Sequence, residues 1–342
     1  VGCVIVKNDV IIGRGYTAPN GRPHAETRAL DQAGSAAKGA TAYITLEPCS
    51  HEGKTPPCAH ALVKAGIKRA VIAAIDPDIR VNGKGISILE SAGIEVKVGV
   101  LSDQASLDHS GFFSSQTECR PWVTLKLAAS IDGKIATARG DSKWITGSSA
   151  RHFVHNMRRK HDAIMVGSGT VISDDPSLNV RELGACIQPY RIVLNSNLDI
   201  PVKSNLTKKI HEQPVWIFHS NEVSEDRKSE WLEIGAKLFE CHVDNFGISI
   251  KDVMQNLSDK GITRLLCEGG GKLAASLIRS ELVDEIVTFH GGLTIGADGL
   301  PSIGNLGVCS LSEAKRWRLD RTLPFGAEVL NIWHPTKEYI ED

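Results

Sequence analysis

Apolar and polar positions along the first hundred residues form short segments of two kinds. Apolar runs bounded by turn residues are typical of strands, and apolar side chains spaced three and four residues apart are typical of helices. On this basis we predict strands at 2–6, 10–15, 41–46, 69–75 and 94–98, and helices at 24–37, 58–65, 86–92 and 101–115. The alternation predicts a mostly parallel sheet with helices on its faces.

This pattern breaks at 117–121, and a second series of elements follows. The predicted strands are 122–128, 163–166, 191–194, 215–218, 264–267, 285–289 and 327–333, and the predicted helices are 149–159, 227–234, 248–259 and 271–279. The sequence therefore predicts two α/β domains, at 1–116 and 117–342.

The composition is that of a globular protein with two domains. At roughly 150 residues per domain, 342 residues correspond to about two of them. Apolar residues make up 42% and charged residues 23%, which excludes disordered, collagen-like and coiled-coil chains. Lysine and arginine number 39 against 40 acidic residues, and this net charge of −1 argues against a dedicated nucleic-acid-binding protein.

The expected location is cytoplasmic. The sequence has no apolar run near the roughly 18 residues of a membrane span and no secretory signal at its start. In such a protein, eight cysteines favour metal ligation over a disulfide scaffold. Because the chain starts at Val1, directly before the strand predicted at 2–6, we expect that a further segment precedes it, with any targeting signal.

Three potential metal ligands and one carboxylate together have the composition of a catalytic zinc site. His24 and Glu26 open a predicted helix, Cys49 follows a strand, and Cys58 opens the next helix. One histidine and two cysteines leave the fourth zinc position open for a water that ionises near neutral pH. Glu26 can then carry a proton from water to a leaving amine. H-x-E followed by Pro-Cys is the signature of zinc nucleobase deaminases.

Other interpretations of these residues stay open at this point. The two cysteines are also compatible with ordinary buried thiols. A closed structural site needs a fourth ligand, for which His51 and His60 are the nearest candidates. Eight residues separate Cys49 from Cys58, where the general signature has two, and we expect the polar groups among them to contact substrate.

Longer motifs occur in both halves of the chain. They are HAETRAL, TLEPCSHEGKTPPC and AIDP, then KLAASIDGKIAT, GDSKWIT, GSGTVISDDPSLNVR and EGGGKLAASL. Together they resemble the bifunctional deaminase–reductase family of riboflavin biosynthesis over nearly the whole length. The resemblance implies a cytidine-deaminase-like α/β/α zinc domain followed by a dihydrofolate-reductase-like α/β domain.

The resemblance also implies two reactions. The first is hydrolytic deamination of 2,5-diamino-6-ribosylamino-4(3H)-pyrimidinone 5′-phosphate, and the second is NADPH-dependent reduction of the ribosyl group to a ribityl chain. The histidine and two cysteines named above take the zinc, and Glu26 is the proton shuttle. His51 and Lys54 are similar to substrate-contacting positions. Asp78 departs from the usual Asn, which concerns the contact to the base edge and not the metal chemistry.

In the second half, glycines follow the strand at 264–267 and precede a helix. Such a turn lets the backbone approach a phosphate, although an ordinary tight turn has the same composition. No GxGxxG motif supports a Rossmann fold. By resemblance, the NADP site is lined by Ala129, Trp144, Thr170, Asp174, Ser196, Gly270, Gly271, Lys272, Leu273, Ala274, Ala275 and Ser276.

The positions similar to the family's substrate-binding residues are Ser142, Arg158, Leu178, Arg181 and Glu268. We expect the two arginines among them to hold the substrate phosphate by bidentate pairing, the alternative being a solvated surface arginine. Lys126 is expected to approach the substrate from the first strand of this half. The partners expected are small pyrimidine ribotides, with neither nucleic acid nor membrane, in a homo-oligomer.

Two further functions compete with this one. The first is a nucleoside or tRNA deaminase with a non-catalytic second domain, against which the long insert between the cysteines and the missing basic surplus argue. The second is a non-catalytic zinc-binding module. Glu26 discriminates against the module, because a structural site has no use for a carboxylate beside an open zinc position.

Overall fold

The structure is a computed structural model that describes residues 1–51, 56–244 and 247–336. The chain divides into two compact units, Val1–Cys119 and Arg120–Asp342. The last helix of the first unit, Ser110–Thr117, contains the predicted boundary between 116 and 117. Among the described residues, no helix has the length and apolar character needed to span a bilayer.

The first unit contains a five-stranded sheet and five α-helices within its described residues. The strands are β1 Gly2–Lys7, β2 Val10–Tyr16, β3 Thr41–Ile44, β4 Arg69–Ile72 and β5 Glu95–Val98. The helices are α1 Ala25–Ala33, α2 Cys58–Lys64, α3 Lys84–Ser91, α4 Ser102–Asp108 and α5 Ser110–Thr117. The strand order is β2-β1-β3-β4-β5.

The prediction of a mostly parallel sheet is wrong for this unit. Strand β1 is antiparallel to both β2 and β3, while β3, β4 and β5 run parallel. Asn8 and Asp9 have φ angles of 49° and 61°, and two successive left-handed residues close a tight hairpin between β1 and β2. This hairpin forces the first two strands to be antiparallel.

Small residues let α1 lie directly on β2. A Cβ at Gly15 would come within 2.0 Å of the Ala25 carbonyl oxygen, and one at Gly13 within 2.2 Å of the Ala29 oxygen. Ala25 and Ala29 are fully buried at this contact. The close approach fixes the start of α1, and with it the positions of His24 and Glu26.

The second unit contains a nine-stranded sheet of order β11-β10-β9-β8-β14-β6-β15-β18-β17 and two short ribbons. Its strands are β6 Trp122–Ser130, β7 Lys134–Ala136, β8 Ala163–Gly167, β9 Tyr190–Leu194, β10 Val215–Ser220, β11 Lys237–Cys241, β12 Val243–Asp244, β13 Gly247–Ile248, β14 Arg264–Cys267, β15 Glu285–Gly291, β16 Leu300–Pro301, β17 Arg316–Phe325 and β18 Glu328–Thr336. Its helices are α6 Ser148–Arg159, α7 Ser168–Asp174, α8 Glu225–Glu233, α9 Ile250–Asp259 and α10 Gly271–Arg279.

The parallel part of this sheet is covered on both faces. Along β8, Ala163 and Met165 belong to one apolar core, and Ile164 and Val166 belong to the other. A strand buried on both faces has a continuous apolar run, as this one does. The carboxyl ends of β6, β8, β9 and β14, which run parallel in the same sheet, provide the edge at which ligands usually bind in such folds.

Candidate active sites

Three potential metal ligands meet in the first unit. His24 precedes α1, Cys58 opens α2, and Cys49 lies in the loop after β3. The Nδ1 atom of His24 lies 3.2 Å from the Sγ of Cys58 and 3.5 Å from the Sγ of Cys49. All three ligand atoms lie within 4.8 Å of one another. They form the one cluster of this kind found among the described residues.

This donor set fits zinc. A tetrahedral zinc with nitrogen and sulfur ligands places neighbouring donors about 3.5–4 Å apart, close to the distances seen here. The hydrogen bond that Cys58 donates lowers the pKa of the Cys49 thiol to about 4. The two thiols and the imidazole leave the fourth tetrahedral position to another ligand, as in catalytic rather than structural sites.

Glu26 lies in the first turn of α1, two residues after His24, and only 3% of it is exposed. Burial raises the pKa of its carboxyl group, and the Cys58 side chain contributes a hydrogen bond. It is not one of the three clustered ligands. A buried carboxyl group beside an open metal position is suited to moving a proton.

A cavity of about 1340 Å³ lies in the second unit, at the carboxyl ends of its parallel strands. Lys126 of β6, Gly167 at the end of β8, Ser196 after β9 and Glu268 after β14 line it. Gly269 and Gly270, which connect β14 to α10, and the first residues of α10 form another wall. The cavity is large enough for a dinucleotide cofactor together with a small substrate.

Two residues that line this cavity, Arg158 and Glu268, form a buried ion pair. Arg158 donates from Nε to Glu268 Oε1 at 2.6 Å and from Nη2 to Oε2 at 2.9 Å, and its Nη1 donates to the Asn179 carbonyl oxygen at 3.0 Å. Burial alone would raise the pKa of Glu268, but the charge of Arg158 and its hydrogen bonds lower it. Burial lowers the pKa of the neighbouring Lys126. The site therefore holds a fixed carboxylate beside a buried amine.

Two family models match the chain. The RibD C-terminal domain matches residues 121–330, and the cytidine and deoxycytidylate deaminase zinc-binding region matches residues 1–74. The riboflavin biosynthesis protein RibD of Aquifex aeolicus is 40% identical over 331 residues, which cover 96% of this chain and 90% of that protein. The chain belongs to the RibD family.

Other RibD proteins are similar over the same length. The RibD protein of Bacillus amyloliquefaciens is 41% identical over 330 residues, 96% of this chain and 88% of that protein. The structure of Acinetobacter baumannii RibD, form 1, has a TM-score of 0.87 at 36% identity and covers 98% of this chain and 92% of that one. A Thermotoga maritima deaminase/reductase has a TM-score of 0.84 at 32% identity, with 98% and 91% covered. The predicted family and fold class are confirmed.

Near the zinc site, the structure describes some of the residues that are predicted to contact the substrate. Asp78 is 9% exposed, and Arg80 donates from Nε to its Oδ1 at 2.9 Å. These hydrogen bonds lower the pKa of Asp78 to about 2. His51 lies close enough to act on Asp78 electrostatically, and within the described part its buried Nδ1 has no hydrogen-bond partner. Lys54 lies outside the described residues.

Most residues predicted for the reductase half of RibD line the cavity, and three do not. Those that line it are Trp144, Thr170, Asp174, Ser196, Gly270, Gly271, Lys272, Leu273, Ala275, Ser276, Ser142, Arg158, Arg181 and Glu268. Ala129, Leu178 and Ala274 are only 3%, 2% and 0% exposed, respectively. Ala129 directly follows Lys126, Leu127 and Ala128 of β6, which do line the cavity.

In this structure Nε and Nη2 of the Arg158 guanidinium both hydrogen-bond the Glu268 carboxylate, and its expected bidentate pairing with phosphate stays a prediction. Arg181 makes looser contacts: its Nη1 donates to Asn179 Oδ1 at 3.3 Å, its Nε lies 3.9 Å from Glu182 Oε1, and its side chain is 56% exposed. The binding of phosphate by Arg181 likewise stays a prediction.

Sequence reasoning missed Glu47, which lies two residues before Cys49. Its carboxylate is 3% exposed and accepts from four backbone N–H groups. They belong to Asp76, Gly83, Gly85 and Ile86, at 3.3, 2.9, 2.9 and 3.3 Å. The one signal in the sequence was an acidic residue between an apolar strand and Pro-Cys.

Proposed function

We propose that this chain catalyses two consecutive steps of riboflavin biosynthesis. The unit Val1–Cys119 deaminates 2,5-diamino-6-ribosylamino-4(3H)-pyrimidinone 5′-phosphate, and the unit Arg120–Asp342 reduces the product with NADPH. The observation that carries the proposal is the cluster of His24, Cys49 and Cys58 with Glu26 buried beside it, in a chain whose second unit holds a separate large cavity.

The deamination needs a proton to move from water to nitrogen. Bound at His24, Cys49 and Cys58, zinc supplies Lewis-acid activation of water near neutral pH. A C–O bond forms at C2 of the pyrimidine, the C2–N bond breaks, and the amino group leaves as ammonia. Glu26 takes the proton from the attacking water and gives it to the leaving nitrogen. Its burial holds the carboxyl group in place and excludes bulk water.

The reduction needs positioning and one proton. NADPH, when bound, supplies the hydride. The hydride adds to C1′ of the ribosyl group as the C1′–O4′ bond opens, and one proton goes to the freed oxygen. Lys126 can donate this proton, because its side chain lines the cavity and its amine is close enough to Glu268 to feel that charge. Arg158 fixes the Glu268 carboxylate through two hydrogen bonds, and Arg181 binds the substrate phosphate.

Replacing Glu26 tests the first step. We expect Glu26→Gln to keep its zinc, because Glu26 is not a ligand, and to lose deamination by about 10²–10⁴-fold. Metal analysis and ammonia release measure the two effects. Asp31→Asn, on the exposed face of the same helix, is the matched control and should change neither. Loss of zinc from Glu26→Gln, or full deamination by it, would contradict the assigned role.

A further inference from the structure

Trp144 has an unusual backbone conformation at the edge of the reductase cavity. Its φ angle is +69°, in the left-handed region that bulky L-residues rarely adopt, and the residue is 75% exposed. Such a conformation costs about 1–3 kcal/mol and persists only where its surroundings enforce it. An exposed aromatic ring held at this cost beside a cavity indicates a functional reason for its placement.

Arg151, on the first turns of α6, supplies one of the enforcing contacts. The guanidinium carbon of Arg151 lies 4.5 Å from the centroid of the Trp144 ring, within the range of a cation–π interaction. The Nη1 atom of the same side chain donates to the Thr146 carbonyl oxygen at 2.7 Å. One side chain thus holds both the indole and the backbone two residues beyond it.

Two other contacts hold the segment 144–147 in place. The Ile145 carbonyl oxygen lies where a Cβ on Gly291 would be, at 2.0 Å, so β15 accepts the segment only because that residue is glycine. The backbone N–H of Gly147 donates to the Glu328 carboxylate. With the backbone held at both points, Arg151 is left to set the orientation of the indole.

We propose that Arg151 is a positioning residue for the reductase, which holds the Trp144 indole as a stacking platform for the planar nicotinamide ring of the cofactor. Trp144 and Arg151 both line the cavity. Because Arg151 contacts one face of the indole and the residue is 75% exposed, ring surface remains open to a ligand. The proposal rests on the proposed function in one respect, that NADPH occupies this cavity.

Substitutions at Arg151 test this role against a control on the same helix. We expect Arg151→Met to weaken NADPH binding about 3- to 10-fold and to lower kcat for reduction, because the platform loses its orientation. Arg151→Lys should recover part of both effects, since an ammonium group can also lie over the indole. Arg159→Met, at an exposed position outside the cavity, should change neither.

A double-mutant cycle with Trp144→Leu separates positioning from direct contact. If Arg151 acts through the indole, Arg151→Met causes no further loss in the Trp144→Leu background. The ordered Trp144 indole should contribute to the near-ultraviolet circular dichroism of the wild type. This contribution is removed in Trp144→Leu, and we expect it to be lost in Arg151→Met as well. Thermal unfolding checks that each variant is folded. If Arg151→Met is not folded, Arg151→Lys is compared with the wild type instead.

The outcomes that count against each proposal differ. If Trp144→Leu binds and uses NADPH as wild type does, the placement of the cofactor at this edge of the cavity is wrong. If Trp144→Leu weakens NADPH binding but folded Arg151→Met does not, the positioning role alone is overturned. An effect of Arg151→Met that persists in full without the indole would also overturn it, because Arg151 would then contact a ligand directly.

Discussion

Glu47 connects the zinc loop to the segment that carries Asp78. Its carboxylate is buried and has four backbone N–H donors around it, which belong to the segment 76–86. Gly85 lies so close that a Cβ there would come within 2.0 Å of the Pro48 carbonyl oxygen. A single carboxylate therefore joins the loop with Cys49 to the segment with Asp78.

We expect Glu47→Gln to destabilise the first unit by about 1–3 kcal/mol and to reduce deamination. The amide presents a donor to N–H groups that need an acceptor, and buried polar groups without partners are costly. Chemical denaturation followed by circular dichroism measures the loss. Glu90→Gln, an exposed position on α3, is the control and should stay within about 0.5 kcal/mol of wild type. Equal stability of the two variants would contradict the role of Glu47.

At individual positions, the sequence showed which residues have functional chemistry better than it showed which residues they contact. The histidine, the two cysteines and Glu26 were recognisable because zinc chemistry restricts which residues can serve. The partner of Arg158 was not, because Glu268 lies 110 residues away along the chain and only the fold brings them to 2.6 Å. Nor could the sequence distinguish a phosphate from a carboxylate as the partner of an arginine.

The packing of α1 on β2 determines where two of the zinc-site residues lie. Gly13 and Gly15 remove the side chains that would keep the helix away from the strand. His24 immediately precedes α1, and Glu26 lies in its first turn. A displacement of this helix would therefore move a metal ligand and the proton carrier together.

We expect Gly15→Ala to lower zinc affinity by about tenfold or more. The new Cβ would lie 2.0 Å from the Ala25 carbonyl oxygen, so the start of α1 must shift. Competition with a chelator measures the affinity. Gly2→Ala, in the neighbouring strand, is the matched control, because its Cβ would meet only Thr45 Cγ2 at an ordinary 3.7 Å. Wild-type zinc affinity in Gly15→Ala would show that this contact does not fix the site.

Elements with a clear apolar pattern were predictable, and elements stabilised by distant partners were not. The helix predicted at 101–115 is two helices, Ser102–Asp108 and Ser110–Thr117, which meet at His109. Strand β17 was missed, because most of Arg316–Phe325 is exposed and lacks the alternation of a half-buried strand. It pairs along its length with β18, and that pairing supplies the strand conformation.

Each unit has its own apolar core and its own site. The cluster of His24, Cys49 and Cys58 lies in the first unit, and the cavity lies in the second. Two sites built by separate cores should be separable by substitution. We therefore expect Cys49→Ala to abolish deamination and to leave reduction of the deaminated ribotide unchanged. Cys119→Ala, at an exposed cysteine, is the control and should keep both activities.

Separate assays of ammonia release and NADPH oxidation test most directly whether one chain carries two activities in two sites. With the diaminopyrimidinone ribotide, the wild-type chain should release ammonia without NADPH and oxidise NADPH only after deamination. The Cys49→Ala chain should release no ammonia but oxidise NADPH with the deaminated ribotide at the wild-type rate. Loss of both activities in folded Cys49→Ala, or ammonia release that requires NADPH, would contradict two independent sites.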